Sequence, residues 1–331
     1  MLKVKTLNFK KILPIPLILI VLAFAPYFLG DYYLSLIRTV LLWAALAISW
    51  HFFSGLTRYV ALGSAAFFGI GLYFTAKYLQ FSINYGYYPI LPLPVIVLLA
   101  GLINFALAFI IGLVTLRLKG IYFAILTFGI SEVFRNIFQW WEITITGTRG
   151  TYLPIFFDPQ TSYYAILVTA IAIFLLTAFL RISKFGLALR MVGECEDAAI
   201  HVGVNTSLFK TIGFAVSAMC IGLMGSAFTT RFTYINTDIA FDADYSFLPA
   251  IMTLLGGAGT AYGPLTGAIV LSLLSHYLGV AYTQYFKIIL GVILLAIVIF
   301  MPNGMMGVVE KLKTTKLVGR KGLAKAPKMP P

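Results

Sequence analysis

Runs of about twenty mostly apolar residues recur along the 331-residue chain, and the stretches between them hold most of its charge. A helix needs about 20 such residues to cross a bilayer core of roughly 30 Å. Ten segments read as spans: 12–30, 34–53, 61–80, 91–116, 120–139, 161–181, 211–230, 247–258, 264–280 and 285–302. Only 11% of the residues are charged and 60% are apolar, against about 25% and 45–50% in a soluble domain. That supply of polar groups cannot cover a water-facing surface, so the apolar excess must face lipid. The mean hydropathy of +0.95 excludes a disordered chain, and two cysteines exclude a disulfide framework. The expected fold is an all-α polytopic membrane protein, a single transmembrane domain over 1–331.

The net charge of +13 has a place in that topology. With the N-terminus in the cytoplasm and ten crossings, most of the 24 Lys and Arg fall on the cytoplasmic side, with few of the 11 Asp and Glu. They concentrate in a basic N-terminus (1–11), an inner loop (182–210) and a basic tail (303–331). Basic membrane loops therefore explain the charge, and nucleic acid is not implied. The first span carries Ala23-Phe24-Ala25, which has the form of a signal-peptide cleavage site, but Pro26 follows it. The segment reads as an uncleaved anchor.

The loop 182–210 is the most informative stretch. Over 184–203, Leu187, Met191, Cys195, Ala198 and Val202 recur at helical spacing, as do Arg190, Glu194, Asp197 and His201. The spacing predicts one amphipathic helix, with Gly203 placed for a left-handed C-terminal cap. Arg190 and Glu194 stand four apart, as an ion pair would. An interfacial helix on the inner leaflet is one reading. Glu194, Glu196 and Asp197 argue for the other, a helix docked in a partner's groove, because anionic lipid would repel three acids.

Asp197-Ala198-Ala199-Ile200-His201-Val202-Gly203 resembles the E-A-A-x-x-x-G loop of ABC importer permeases, with Asp197 in place of Glu. Phe185-Gly186-Leu187-Ala188-Leu189-Arg190 resembles the "GRALRA" approach to that loop in branched-chain amino acid permeases, the LivM-type subunit in particular. Residues 62–73 (LGSAAFFGIGLY) are similar to that family's "LGHAAFFGIGAY", and 117–124 (RLKGIYFA) to "RLRGIYFA". The stretch from Gly256 to Ala268 is similar to "GGLGSLWGPVLGA", and 302–307 to "P-x-G-L-x-G". The outer loop 145–150 departs from the family's "TGG-x-x-G". The resemblance covers about 40–310. It implies an importer permease working by alternating access, with Arg190, Glu194, Asp197, Ala198, Ala199 and Gly203 in a coupling helix that docks on an ATPase. The partners implied are two cytoplasmic ATPase subunits, a second, LivH-type permease subunit, and an extracytoplasmic solute-binding protein. The site implied is the inner membrane, with both termini cytoplasmic.

Within the spans, Gly256-Gly257-Ala258-Gly259 through Gly263-Pro264 is too glycine-rich for a continuous helix, so a broken helix is expected near 256–264. Gly256, Gly257 and Gly259 line the translocation path on one reading and make a structural turn on the other. Gly63, Gly69 and Gly71 read as close-packing positions. Glu132 lies in the fifth span three residues from Arg135, with Thr127 and Ser131 nearby on the same helix. The group is either an ion pair near the outer interface or a contact for a zwitterionic solute. Asp238, Asp242 and Asp244 form an acidic outer loop, either solvated or docking a receptor. The three histidines share no ligand spacing, so no metal is expected. The dipeptide Gly-Lys is absent, so the chain has no P-loop, and ATP is expected to be bound by a partner subunit rather than here. An ion-coupled secondary transporter remains the alternative to an ATP-driven permease.

Overall fold

The structure is a computed structural model that describes residues 14–84, 91–153, 157–260 and 262–281, with scattered residues between 285 and 305. The basic N-terminus 1–11, most of the predicted span 285–302 and nearly all of the tail 303–331 lie outside the described residues.

The chain runs α1 (Pro14–Phe28), α2 (Asp31–Trp50, extended by a π-helical turn His51–Gly55), α3 (Ser64–Asn84), α4 (Leu93–Thr115) and α5 (Ile121–Trp141, extended by a π-helical turn Glu142–Thr146). It continues through β1 (Thr151–Tyr152), α6 (Pro159–Ile182), α7 (Lys184–Glu194), α8 (Glu196–His201) and α9 (Thr206–Phe228). Then come β2 (Tyr234–Ile235), α10 (Thr237–Ala240), α11 (Asp244–Gly256) and α12 (Gly263–Ala281). Among the described residues, six helices are long and apolar enough to cross a membrane: 31–55, 93–115, 121–146, 159–182, 206–231 and 263–281. Two short strands, absent from the sequence reading, pair Thr151 with Ile235 and Tyr152 with Tyr234. This ribbon marks one end of the bundle, and α7 and α8 mark the other.

Burial around each helix shows what surrounds it. On α4, Ile96, Ala100, Asn104, Ala108 and Gly112 are buried, while Leu98, Leu102, Ile110 and Val114 are exposed. Both faces are apolar, so the outer one faces hydrocarbon rather than water. Helix α9 is enclosed instead, buried on nearly every side by α4, α3, α2 and α6. In lipid, apolar side chains gain little by meeting one another, so such contact depends on close backbone approach. Small residues allow it here. A Cβ on Gly71 would overlap the Gly222 carbonyl, one on Gly225 the Phe68 carbonyl, and one on Gly222 the Asn104 side chain. Gly69 likewise makes room for the Phe241 ring and Gly63 for the Thr127 backbone, so all three predicted packing glycines pack closely.

Hydroxyls pin the helices to one another. Ser217 donates to the Ser49 carbonyl at 2.7 Å, Thr253 to Ala47 at 3.2 Å, and Thr229 to Leu72 at 3.2 Å. Each such bond between membrane helices contributes about 0.6 kcal/mol.

The predicted break is present. Helix α11 ends at Gly256, and Gly257 follows at φ +108°, a conformation open to glycine and costly for other residues. At 13 residues, α11 spans only ~20 Å, so it does not cross a bilayer core. It then folds tightly against α12: a Cβ on Gly256 would overlap the Gly263 carbonyl, and one on Gly267 the Met252 carbonyl. Gly259 has nothing within 4 Å of its Cβ position and no positive φ. Gly256→Val is therefore expected to lower the yield of folded protein in detergent severalfold. Gly259→Ala should leave it unchanged. Size-exclusion profiles of the two variants beside the wild type make the comparison.

Candidate functional site

At the end opposite the ribbon, the predicted single helix over 184–203 is two helices. Cys195 is extended (φ −157°, ψ 108°) and separates α7 from α8. The cause lies in Glu196. Its Oε1 accepts a hydrogen bond from Lys210 Nζ at 2.5 Å, and its Oε2 accepts from the Tyr59 hydroxyl at 2.8 Å. Lys210 also donates to the Tyr59 oxygen at 3.2 Å, and Lys119 stands 3.7 Å from Glu196. The Lys210 side chain is only 5% exposed. Leaving such a buried charge unpaired costs roughly 3–5 kcal/mol, more than the ~1 kcal/mol of a helical hydrogen bond lost at the kink.

The electrostatics agree with that geometry. Burial works against the Glu196 carboxylate, but the bonds from Lys210 and Tyr59 and the charges of Lys210 and Lys119 outweigh it, and its pKa falls below the usual value. Burial, then the neighbouring Glu196, holds the Tyr59 hydroxyl well above its ordinary range. The carboxylate is thus fixed as an anion between α8, the segment before α3, and α9. The sequence marks Glu196 only as one acid among three and Lys119 and Lys210 only as cytoplasmic cations, and it does not single out Tyr59. Their one sequence signal is a lysine four residues inside α9, at a depth where an unpaired charge is expensive.

Helix α7 lies on the bundle through a face other than the predicted one. Gly186, Ala188, Leu189 and Val192 are buried, and Leu189 packs in a cluster with Phe52 and Leu56. Gly193 sits so close to the Leu56 carbonyl that a Cβ there would overlap it. The predicted apolar face points mostly outward instead: Leu187 and Val202 are 59% and 73% exposed, and Cys195 and Ala198 are exposed as well. The kink at Cys195 and the closeness demanded at Gly186 and Gly193 set this rotation. The expected Arg190–Glu194 ion pair is not among those of the described residues. Arg190, Glu194, Asp197, Ala198 and Gly203 are all exposed, whereas Ala199 is buried. Gly203 caps α8 at φ +88°, as expected, with its N–H on the Ile200 carbonyl at 2.9 Å. The result is a small surface, apolar and charged, clamped to the bundle by Glu196.

The candidate path residues fall in two places. Thr127 is buried and holds the chain entering α3: its hydroxyl accepts from the Leu62 N–H at 3.0 Å and donates to the Ala124 carbonyl at 3.0 Å. Ser131, also buried, donates to Phe128 at 2.7 Å. Glu132 is half-exposed and stands 3.5 Å from Arg135, whose other arm donates to Asp238 at 2.6 Å. That pair therefore ties α5 to α10 at the ribbon end. Gly256 and Gly257 lie inside the α11–α12 turn, and Gly259 stands open beside it.

Comparison with known proteins gives a consistent answer. The family model for the permease component of branched-chain amino acid transport systems matches residues 32–298. The chain is 25% identical to the high-affinity branched-chain amino acid transport system permease protein LivM of Salmonella typhimurium, covering 91% of this chain and 77% of that one. It is 26% identical to LivM of Escherichia coli over 87% of this chain and 73% of that one. It is 28% identical to the LivH permease of the same organism, over 54% of this chain and 63% of that one. No solved structure matches.

The Glu196 clamp makes a pH-dependent contribution to stability. Because its folded pKa is depressed, that contribution is complete above the unfolded carboxylate pKa of ~4.3 and is lost as pH falls through the folded value. The thermal midpoint in detergent should carry no Glu196 term between pH 7 and 5, with one appearing below about pH 4 that Glu196→Gln removes. At pH 7, Lys210→Ala should cost about 3–5 kcal/mol. Lys119→Ala, at a side chain 68% exposed, should cost no more than ~1 kcal/mol.

Proposed function

The chain belongs to the family of permease components of branched-chain amino acid transport systems, and we propose that the solute it carries is a branched-chain amino acid or a related small molecule. It is a multi-pass membrane subunit of an ABC importer and not an enzyme. The observation that carries the mechanistic part of the proposal is the exposed α7–α8 surface on its buried clamp.

An ATPase cleft that receives Leu187, Ala198 and Val202 would cover apolar area that otherwise faces water at that end. Arg190, Glu194 and Asp197 would give the contact its polarity. Because Glu196 joins α8 to Tyr59 and Lys210, a force on α8 is delivered to the segment before α3 and to the start of α9. In this reading two cytoplasmic ATPase subunits bind and hydrolyse ATP, and a LivH-type permease completes the path. A solute-binding protein docks at the ribbon end, where Asp238 and Asp242 face outward. The chain itself takes no cofactor. Ten crossings with both termini in the cytoplasm place the α7–α8 end inside, in keeping with Lys119, Lys184 and Arg190 there. Thr127, Ser131, Glu132 and the glycines Gly256, Gly257 and Gly259 are then the candidates for residues along or framing the path. Import is a population shift, so ATP and loaded receptor must each favour one conformation over the other.

Co-purification with candidate ATPases tests the docking surface. The wild type should retain an ATPase. Asp197→Lys and Val202→Asp should each weaken that retention at least tenfold with the thermal midpoint unchanged. ATP-driven uptake that survives both substitutions would refute the assignment. Competition uptake with leucine, isoleucine, valine, urea and short amides decides the solute, with leucine, isoleucine and valine expected to compete best.

A further inference from the structure

A second set of charges lies at the ribbon end, outside the Glu132–Arg135–Asp238 group. Arg38 stands seven residues into α2, ~10 Å below its first turn, and is only 9% exposed. Its Nε has no hydrogen-bond partner. Arg231, just beyond α9, reaches across to the same helix: Nη1 donates to Thr39 at 2.9 Å and Nη2 to Ser35 at 3.2 Å. Its guanidinium also lies 5.3 Å from the centre of the Phe228 ring. Thr39 is the chain neighbour of Arg38, so the two arginines meet at one turn of α2. No carboxylate is within ion-pair distance of either among the described residues.

Aromatic rings lie one turn further along the same face of α2. Ser35, Thr39 and Trp43 follow one another at steps of four along α2. Trp43 stacks on Tyr245 of α11 at 5.6 Å, and Tyr245 in turn lies on Phe68 of α3 at 4.0 Å. Arg38 and Arg231 therefore lie about one turn of α2 from this aromatic pair, where α2, the end of α9 and the start of the half-helix α11 meet. A cation buried as deeply as Arg38, with its Nε unpartnered, is costly, and the exposed Arg231 reaches onto the same turn of α2 beside it. Guanidinium is the group whose planar fork matches a carboxylate two bonds at a time.

We propose that Arg38 and Arg231 form a carboxylate-binding site at the ribbon-end mouth of the path and take the carboxylate of the passing solute. This rests on the reading of the chain as an amino acid permease. Ser35 and Thr39 hold Arg231 beside Arg38, and the carboxylate replaces those two weak acceptors. The apolar side chain of the solute is then left against Trp43 and Tyr245.

The test uses the complete transporter, with its partner permease, ATPases and solute-binding protein, in proteoliposomes. Arg38→Gln and Arg231→Gln should each lower ATP-driven leucine uptake at least tenfold. ATP hydrolysis stimulated by loaded receptor and the thermal midpoint should stay as in the wild type. Arg231→Lys, which keeps the charge but loses the fork, should recover part of the uptake; if a Gln variant does not fold, the Lys variant at that position carries the test. Uptake unchanged in folded Gln variants overturns the site. A loss confined to vesicles containing anionic lipid also overturns it, because it assigns the arginines to headgroup phosphate. The parent reading is judged separately, on the wild type. If the wild type carries urea or amides but no amino acid, that reading fails whatever the arginine variants do, and the carboxylate assignment falls with it.

Discussion

Apolar helices in hydrocarbon gain little from meeting one another, so this bundle depends on how closely backbones approach along α9. Gly71 against Gly222, Gly225 against the Phe68 carbonyl and Gly222 against Asn104 bring α3 and α4 onto it at distances no larger residue would allow. That closeness lets single hydroxyls such as Ser217 and Thr229 reach carbonyls of neighbouring helices. It also lets backbone depart from helix in the middle of the molecule. The turn between α11 and α12 and the segment 58–63 before α3 are irregular, and each is anchored by buried residues, Gly256, Gly257 and Gly263 in the one and Tyr59, Ala61 and Gly63 in the other, while Gly259, Arg58 and Val60 are exposed.

Against that fixed centre, charge is used sparingly and each group has a place. Lys210 begins α9 as a buried cation and is met by Glu196 from the loop and Tyr59 from the segment before α3. Three parts of the chain that are distant in sequence thus share one ion pair. Arg135 plays the corresponding part at the ribbon end, joining α5 to α10 through Asp238. Arg38 and Arg231 differ from both, because their neighbours are hydroxyls and rings rather than acids.

Much of this was legible in the sequence, for identifiable reasons. The apolar runs located nearly every described helix, because the length needed to cross a bilayer leaves little freedom. The break at 256–263 was legible because glycine and proline act through local backbone geometry. The left-handed cap at Gly203 was legible on the same ground. The rotation of α7 was not. Periodicity shows that Leu187, Cys195, Ala198 and Val202 share a face, but in a loop beside a membrane it cannot show which face the bundle takes. That was decided by Gly193 meeting the Leu56 carbonyl and by Glu196 reaching Tyr59, both contacts between residues far apart in sequence. The meeting of Arg231 with α2 beside Arg38 was hidden for the same reason, since Thr39 and the arginine that bonds to it are 192 positions apart.

The two ends of the molecule are joined by an unbroken series of contacts, and the segment before α3 is its centre. Tyr59 is held in the Glu196 clamp. Two residues on, the Ala61 carbonyl accepts from Trp50 at 2.6 Å, and the Leu62 N–H donates to Thr127. The Ala65 N–H then donates to Ser246 at 3.0 Å, one residue from Tyr245, whose ring stacks on Trp43 one turn of α2 from Thr39. A displacement of α8 therefore cannot move Tyr59 without straining the first turn of α3, and that turn cannot move without disturbing the start of α11. Contact alone is not coupling. What makes the series suitable for it is the irregular backbone at 58–63, which can change its dihedral angles without breaking a helix, set between helices packed too closely to deform gradually. Under the proposed docking of an ATPase on α8, such an arrangement would suit a switch between two packings, as alternating access requires.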